Sequence, residues 1–206
     1  MKNLYLDLDE TCIYSFYVKK QTWQERNHKL ITHYKGFLKF YDYDEFVIFE
    51  RPGLQEFVDW AFENFKVSVW SAGCKEYVDF ISKNIIQKDK RLHHCFCADD
   101  CDKSTDKYGM LKKLELLYKD YKLPGHHADN IILVDDLLDN AKSQESKVIS
   151  VPAFDLNSKK YADMDPKKLI EQEHKMFSQL KLKLKEKKKE KSVKKNKKSL
   201  AKKITK

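Results

Sequence analysis

The sequence predicts an α/β fold in which a parallel sheet is covered by helices on both faces. Short, largely apolar runs alternate with stretches of helical period, the pattern of strands buried on both sides. Three of these runs end in polar residues: Asp7 and Asp9, then Ser71, then Asp135 and Asp136. Ligands of open α/β sheets sit beyond the carboxyl ends of the strands, so these ends mark one rim as the candidate site. The 206 residues are 41% apolar and 13% aromatic, enough for one domain with a sizeable core and too apolar for whole-chain disorder.

Leu4-Tyr5-Leu6 is too short for a helix and stops at Asp7-Leu8-Asp9-Glu10-Thr11, as a central strand opening into a site would. Residues 14–50 are crowded with aromatics and show poor helical period, so a β-rich insertion of hairpins is expected there, returning to the core at Arg51. After Pro52-Gly53, residues Leu54, Phe57, Val58, Ala61, Phe62 and Phe65 recur at helical spacing. Lys66–Trp70 reads as a strand halted at Ser71-Ala72-Gly73, and Tyr77, Val78, Ile81 and Ile85 as the next helix. Residues 88–109 are polar, with little period. Leu111, Leu114, Leu117 and Tyr118 suggest a helix ending near Pro124-Gly125. Ile131–Val134 is a buried strand, and Lys147–Val151 a further one. Asp165-Pro166 opens a last helix, with an apolar stripe of Leu169, Ile170, Met176, Phe177, Leu180 and Leu184.

The formal net charge of +9 hides an asymmetry. Residues 181–206 hold 14 lysines and only Glu186 and Glu190, whereas the rest carries 27 Lys and Arg against 30 Asp and Glu. A mildly acidic domain over residues 1–180 is therefore expected to precede a lysine-rich, unstructured tail over 181–206. Such an arm serves either as a contact for polyanions, nucleic acid included, or as a nuclear address. No apolar run approaches the length of a membrane span, and Met1–Leu4 leads into acidic residues without an export signal. The five cysteines are odd in number. A reduced protein inside the cell, in nucleus or cytoplasm, is the expectation.

Asp7 and Asp9, one residue apart at a strand end, project to the same side. Carboxylates so close repel unless a cation lies between them. With Asp135 and Asp136 on the same rim, the oxygen donors suit Mg²⁺. His93, His94, Cys95, Cys97 and Cys101 offer a second, softer donor set for zinc, although C-x-C and C-x₃-C are not the usual C-x₂-C spacing. Cys12 and Cys74 lie near the acidic motifs, but neither begins a C-x₅-R loop, which argues against a cysteine nucleophile.

Asp7-Leu8-Asp9-Glu10-Thr11 resembles the D-x-D-x-T signature of the haloacid dehalogenase (HAD) superfamily. More narrowly, it resembles the small CTD-phosphatase or NLI-interacting-factor-like branch, which acts on phosphoserine and phosphothreonine in proteins. Arg51-Pro52-Gly53, Val69-Trp70-Ser71-Ala72, Leu133-Val134-Asp135-Asp136 and Val148–Phe154 resemble the branch's later motifs in order, so the likeness covers about residues 1–155. It implies a HAD-like Rossmannoid fold and a set of roles. Asp7 would be the nucleophile that forms an aspartyl-phosphate, and Asp9 the general acid and then base. Thr11 would orient the loop, and Ser71 would bind a phosphoryl oxygen. Asp7, the Asp9 carbonyl and Asp135 would ligate Mg²⁺, with Asp136 in the outer shell. The family also uses a phosphate-binding lysine. Lys103, Lys107, Lys112 and Lys113 compete, and Lys112-Lys113-Leu114 best resembles the family's K-x-L at a helix start.

The expected function is thus a Mg²⁺-dependent protein serine/threonine phosphatase whose partner is a phosphorylated protein or peptide. A nucleic-acid end phosphatase that uses the basic tail, and a non-catalytic scaffold on the same fold, are the alternatives.

Overall fold

A computed structural model describes residues 1–19, 24–142, 144–162 and 164–204. The strands are β1 (Asn3–Leu6), β2 (Ile13–Tyr17), β3 (Phe40–Tyr43), β4 (Phe46–Glu50), β5 (Lys66–Trp70), β6 (Cys95–Phe96), β7 (Ile131–Asp135) and β8 (Val148–Ser150). The helices are α1 (Gln24–Lys35), α2 (Leu54–Asn64), α3 (Lys75–Ile81), α4 (Ala98–Tyr108), α5 (Leu138–Ala141), α6 (Lys159–Ala162) and α7 (Pro166–Ile204).

Five strands form one parallel sheet in the order β6-β5-β1-β7-β8. Strand alternation divides the core. Leu4 and Leu6 of β1 pack with α2, α3 and α7, through Phe57, Val78 and Phe177 among others. Tyr5, between them, faces the opposite side with Trp70, Cys101 of α4, Leu114 and Leu117. Both faces of the sheet are therefore covered, as the largely apolar runs require. Leu6 is level with Val69 on one side and Val134 on the other. That register brings Asp7, Ser71 and Asp135 to one edge.

Strands β2, β4 and β3 form a second, antiparallel sheet in the order β2-β4-β3. This sheet is the expected β-rich insertion, and α1 lies within it as well. The helical signal was present, since Asn27, Ile31, Tyr34 and Leu38 are buried at three- and four-residue spacing, but the surrounding aromatics masked it. Ile31, Tyr34 and Leu38 pack with Phe16, Phe49, Phe154 and Leu169 in a separate cluster.

Two further expectations are corrected. Residues 88–109 are not irregular: they contain β6 and α4. Asp100 accepts the Cys97 N–H at 3.0 Å and caps the helix, and Gly109 ends it in the left-handed region. The helix expected from Leu111 shrinks to one π-helical turn at Leu116–Asp120, so Lys112 lies in the loop before it.

The last helix runs past residue 180. α7 begins where Asp165 Oδ1 accepts the N–H groups of Lys167 and Lys168, and it continues through the lysine-rich segment to Ile204. Leu184 is fully buried in the main core, and Lys187 Nζ donates to the Ser146 carbonyl at 2.6 Å. The apolar i, i+4 pair Leu180 and Leu184 holds the helix on the body past the point where lysines begin to dominate.

Candidate active site

The loop after β1 is fixed by its own backbone and by Arg51. The N–H groups of Cys12 and Ile13 both reach the Leu8 carbonyl, at 2.8 and 3.0 Å. Glu10 sits at φ 58°, in the left-handed region that sharp turns require. The Arg51 guanidinium donates to the carbonyls of Thr11 at 2.9 Å and Pro152 at 2.8 Å, and more distantly to that of Glu10 at 3.3 Å. Its Nε meets Glu173 Oε2 of α7 at 2.7 Å, in a pair with both side chains buried.

Lys112, one of the four competing lysines, reaches the acidic rim. Its side chain is 1% exposed; Nζ donates to Asp135 Oδ2 at 2.8 Å and also to Asp7 Oδ1. Lys107 instead pairs with Asp120, and Lys103 lies over the Tyr121 ring. Gln144 holds the Lys112 segment from behind, donating to the Lys112 carbonyl at 2.8 Å and accepting the Leu114 N–H at 3.2 Å. Asp135 is held in turn: Oδ2 accepts from Asn140 at 3.1 Å, and Oδ1 from the Leu137 N–H at 2.8 Å.

Asp7, Asp135 and Asp136 each offer one oxygen, and these lie within 4.8 Å of one another. Thr11 serves this group directly, for its hydroxyl donates to Asp136 Oδ1 at 3.0 Å and accepts the Asp136 N–H at 3.1 Å. The Asp9 carboxylate stands apart. Tyr77 donates to its Oδ1 at 2.5 Å, and the Ser71 hydroxyl lies 3.4 Å from its Oδ2.

Burial raises the Asp7 carboxyl above the usual range, against the pull of Lys112 and with the help of Asp135 and Asp9. Burial likewise raises Asp9, opposed by the hydrogen bond from Tyr77, and Asp136, opposed by that from Thr11. Lys112 is raised despite its own burial, because Asp7 and Asp135 flank it. Four carboxyl groups thus share one ammonium in a desolvated site. That surplus of hard, anionic oxygens fits a hard divalent cation.

The candidate zinc donors do not come together among the described residues. Among the described residues, the acidic trio is the group of such donors close enough to hold a metal. Cys97 caps α4, Cys95 Sγ meets the Ser82 hydroxyl at 3.3 Å, and Cys101 points into the core toward the Ser71 carbonyl. Burial and the neighbouring Asp7 push the Cys12 thiol far up, so it stays protonated. Tyr77, Asn140 and Gln144 were not found from sequence. Asn140 and Gln144 are four residues apart behind the Asp-Asp pair, a spacing that places two amides on one side of a helical turn, but nothing in their types alone marks them.

The acidic rim at the carboxyl ends of β1 and β7, on this parallel sheet, is that of a HAD-like α/β protein. The model of the NLI interacting factor-like phosphatase family matches residues 2–194, and the chain belongs to that family. It is 34% identical over 163 residues to the CTD phosphatase-like protein 355R of Invertebrate iridescent virus 6, covering 75% of this chain and 86% of that one. It is 38% identical over 119 residues to the protein of the same name in Invertebrate iridescent virus 3, covering 54% of this chain and 63% of the relative. Among solved structures, the fission yeast RNA polymerase II CTD phosphatase Fcp1 bound to beryllium fluoride superposes with a TM-score of 0.51 at 18% identity, over 90% of this chain and 52% of that chain. A second structure of Fcp1 gives a TM-score of 0.51 at 19% identity, over 90% and 50%. At these identities the likeness concerns the fold, and the chain spans about half the length of the two solved proteins. Among the described residues, no helix is long and apolar enough to cross a membrane.

Proposed function

We propose that this chain is a Mg²⁺-dependent phosphatase acting on phosphoserine or phosphothreonine in proteins, through an aspartyl-phosphate on Asp7, in the nucleus or cytoplasm. The observation that carries the reading is the convergence of Lys112 with Asp7 and Asp135, beside an Asp9 held separately by hydroxyl groups. Two carboxylates one residue apart thereby acquire different surroundings, as a nucleophile and an acid must.

Asp7 attacks phosphorus, and the bond to the seryl oxygen breaks. Asp9 gives its proton to that departing oxygen. Asp9 then takes a proton from water, which attacks the phosphorus of the acyl-phosphate; phosphate leaves and Asp7 is regenerated. Lys112 and the Ser71 hydroxyl donate to the phosphoryl oxygens and lower the repulsion between phosphate and carboxylate. Asp7, Asp135 and Asp136, with the Asp9 carbonyl, are the residues that would hold Mg²⁺. Once bound, the ion supplies charge neutralisation for two approaching anions. We assign the lysine-rich end of α7 to polyanion contact, nucleic acid included, outside the chemical step.

The test is a turnover screen over phosphoserine and phosphothreonine peptides, 5′- and 3′-phosphorylated oligonucleotides, and sugar phosphates. Turnover of the peptides above the other classes, lost with chelator and regained with Mg²⁺, is the expected result. Preference for oligonucleotide ends would replace the protein substrate with nucleic acid. No turnover of any class would leave the scaffold reading.

A further inference from the structure

We infer that Tyr77, backed by Ser15, positions the Asp9 carboxyl for protonation of the leaving oxygen, and that this pair of hydroxyls suits the site to alkyl phosphates. The inference rests on the acid role proposed for Asp9.

Tyr77 lies on α3 and is 7% exposed. Its hydroxyl donates to Asp9 Oδ1 at 2.5 Å, and the Ser15 hydroxyl lies 2.5 Å from the same phenolic oxygen. A phenol has one proton. Since that proton is used on Asp9, the Ser15 hydroxyl is the donor to Tyr77. The result is a directed chain from Ser15 through Tyr77 to Asp9. Ser15 belongs to β2, paired opposite Ile48 of β4, so the chain ties the antiparallel sheet to the loop of the parallel one. The Tyr77 ring is packed at 5.3 Å from that of Phe46 and 6.3 Å from that of Tyr43. The phenol is thus fixed by aromatic packing on its ring and by hydrogen bonds at its tip.

The two oxygens of Asp9 are thereby made unequal. Oδ1 accepts a close bond from Tyr77, while the side-chain donor to Oδ2, Ser71, lies at the longer distance of 3.4 Å. A proton carried by Asp9 sits on Oδ2, the oxygen without a strong donor. As the Asp7 oxygen bonds to phosphorus, the electron pair of the breaking P–O bond moves to the leaving oxygen, which takes the Oδ2 proton. An aliphatic alkoxide is a poor leaving group and needs that proton in the transition state; a nitrophenolate leaves without it. A misplaced acid therefore costs rate on the first kind of ester and little on the second.

The experiment compares kcat/KM for benzyl phosphate and p-nitrophenyl phosphate, two small esters of similar shape. Neither offers a peptide for Tyr77 to contact, and kcat/KM excludes the later hydrolysis of the acyl-phosphate. Wild type, Tyr77→Phe, Ser15→Ala and Asp9→Asn are measured with Mg²⁺ present, and circular dichroism checks that each is folded. Tyr77→Phe keeps the packed ring. It should lower the benzyl value about 10–100-fold, part of the 10²–10⁴-fold expected of a lost acid, with a several-fold smaller effect on the nitrophenyl value. Ser15→Ala should tilt the ratio the same way, by less. Equal losses on both esters in folded Tyr77→Phe, or none on either, would overturn the relay while Asp9→Asn still tilts the ratio. If Asp9→Asn does not tilt it, the acid assignment fails and the relay with it. If wild type cleaves neither ester, the phosphatase reading itself fails and the relay falls too.

Discussion

Arg51→Met tests the link between α7 and the loop that carries Asp9. In the wild type the guanidinium and the Glu173 carboxylate are both almost wholly buried and meet at 2.7 Å. The same guanidinium satisfies the carbonyls of Thr11 at 2.9 Å and Pro152 at 2.8 Å. Methionine fills much of the volume but leaves Glu173 as a buried charge supported only by Tyr161 and Gln172, each at 2.8 Å. Breaking one side of a buried pair costs about 3–5 kcal/mol. That is a large share of the roughly 5–15 kcal/mol by which domains are stable. At ~2–4 °C per kcal/mol for a chain of this size, the unfolding midpoint should fall by about 6–20 °C. Urea unfolding followed by tryptophan fluorescence measures the change directly. The double variant Arg51→Met/Glu173→Leu removes the orphaned charge and should regain about 2 kcal/mol or more. A loss under ~1 kcal/mol for Arg51→Met at unchanged urea slope would mean that the pair does not hold the loop, and the argument from burial would be wrong.

The histidine cluster gives a pH dependence. His94 is pushed down to about 4 by burial, and then by His93, His126 and Lys66; Tyr5 of β1 is bound to His126 Nε2 at 2.8 Å. The unfolded chain takes up that proton near ~6.5, so stability is full above that pH and is lost as pH falls toward the folded value. Thermal midpoints at pH 7 and pH 5 should differ less in His94→Gln than in wild type; an identical drop in the variant would contradict this. A chain ending at Leu180 loses the buried Leu184 and should be destabilised by about 2 kcal/mol or more, whereas one ending at Lys189 should unfold like the full chain. The shorter loss also removes eight lysines and Glu190, so salt-sensitive retention on heparin should weaken in that second chain without loss of small-ester turnover. Asp9→Asn keeps the Asp9 carbonyl. Calorimetry should therefore show Mg²⁺ binding retained while turnover falls about 10²–10⁴-fold, and a parallel collapse of both would contradict the separation of roles.

The parallel sheet and its rim were legible in the sequence because they depend on local signals. Leu4–Leu6 and Ile131–Val134 are apolar on consecutive positions, Val67–Trp70 is apolar but for Ser68, and each ends abruptly in polar residues. α1 was hidden because its buried residues are few and its surroundings are aromatic, and α4 because its apolar stripe is replaced by Cys101 and Ser104. The acidic positions could be read from spacing. Their partners could not: Tyr77 and Ser15 are separated from Asp9 by other elements, and only the packed fold brings them within hydrogen-bond distance. The extent of α7 is less legible for a different reason. Composition favours a solvated arm after Leu180, and the single buried Leu184 that keeps the helix docked carries little weight in a composition average.

The central claim is that Asp7 becomes phosphorylated during turnover. Rapid mixing of the Mg²⁺-loaded protein with p-nitrophenyl phosphate, followed by acid quench, borohydride reduction and peptide mass spectrometry, reads that event directly. A reduced acyl-phosphate converts aspartate to homoserine, and the account predicts homoserine at residue 7 in wild type and none in Asp7→Asn, which should also be inactive. Sustained hydrolysis with residue 7 unmodified at every quench time, or undiminished hydrolysis by Asp7→Asn, would contradict it.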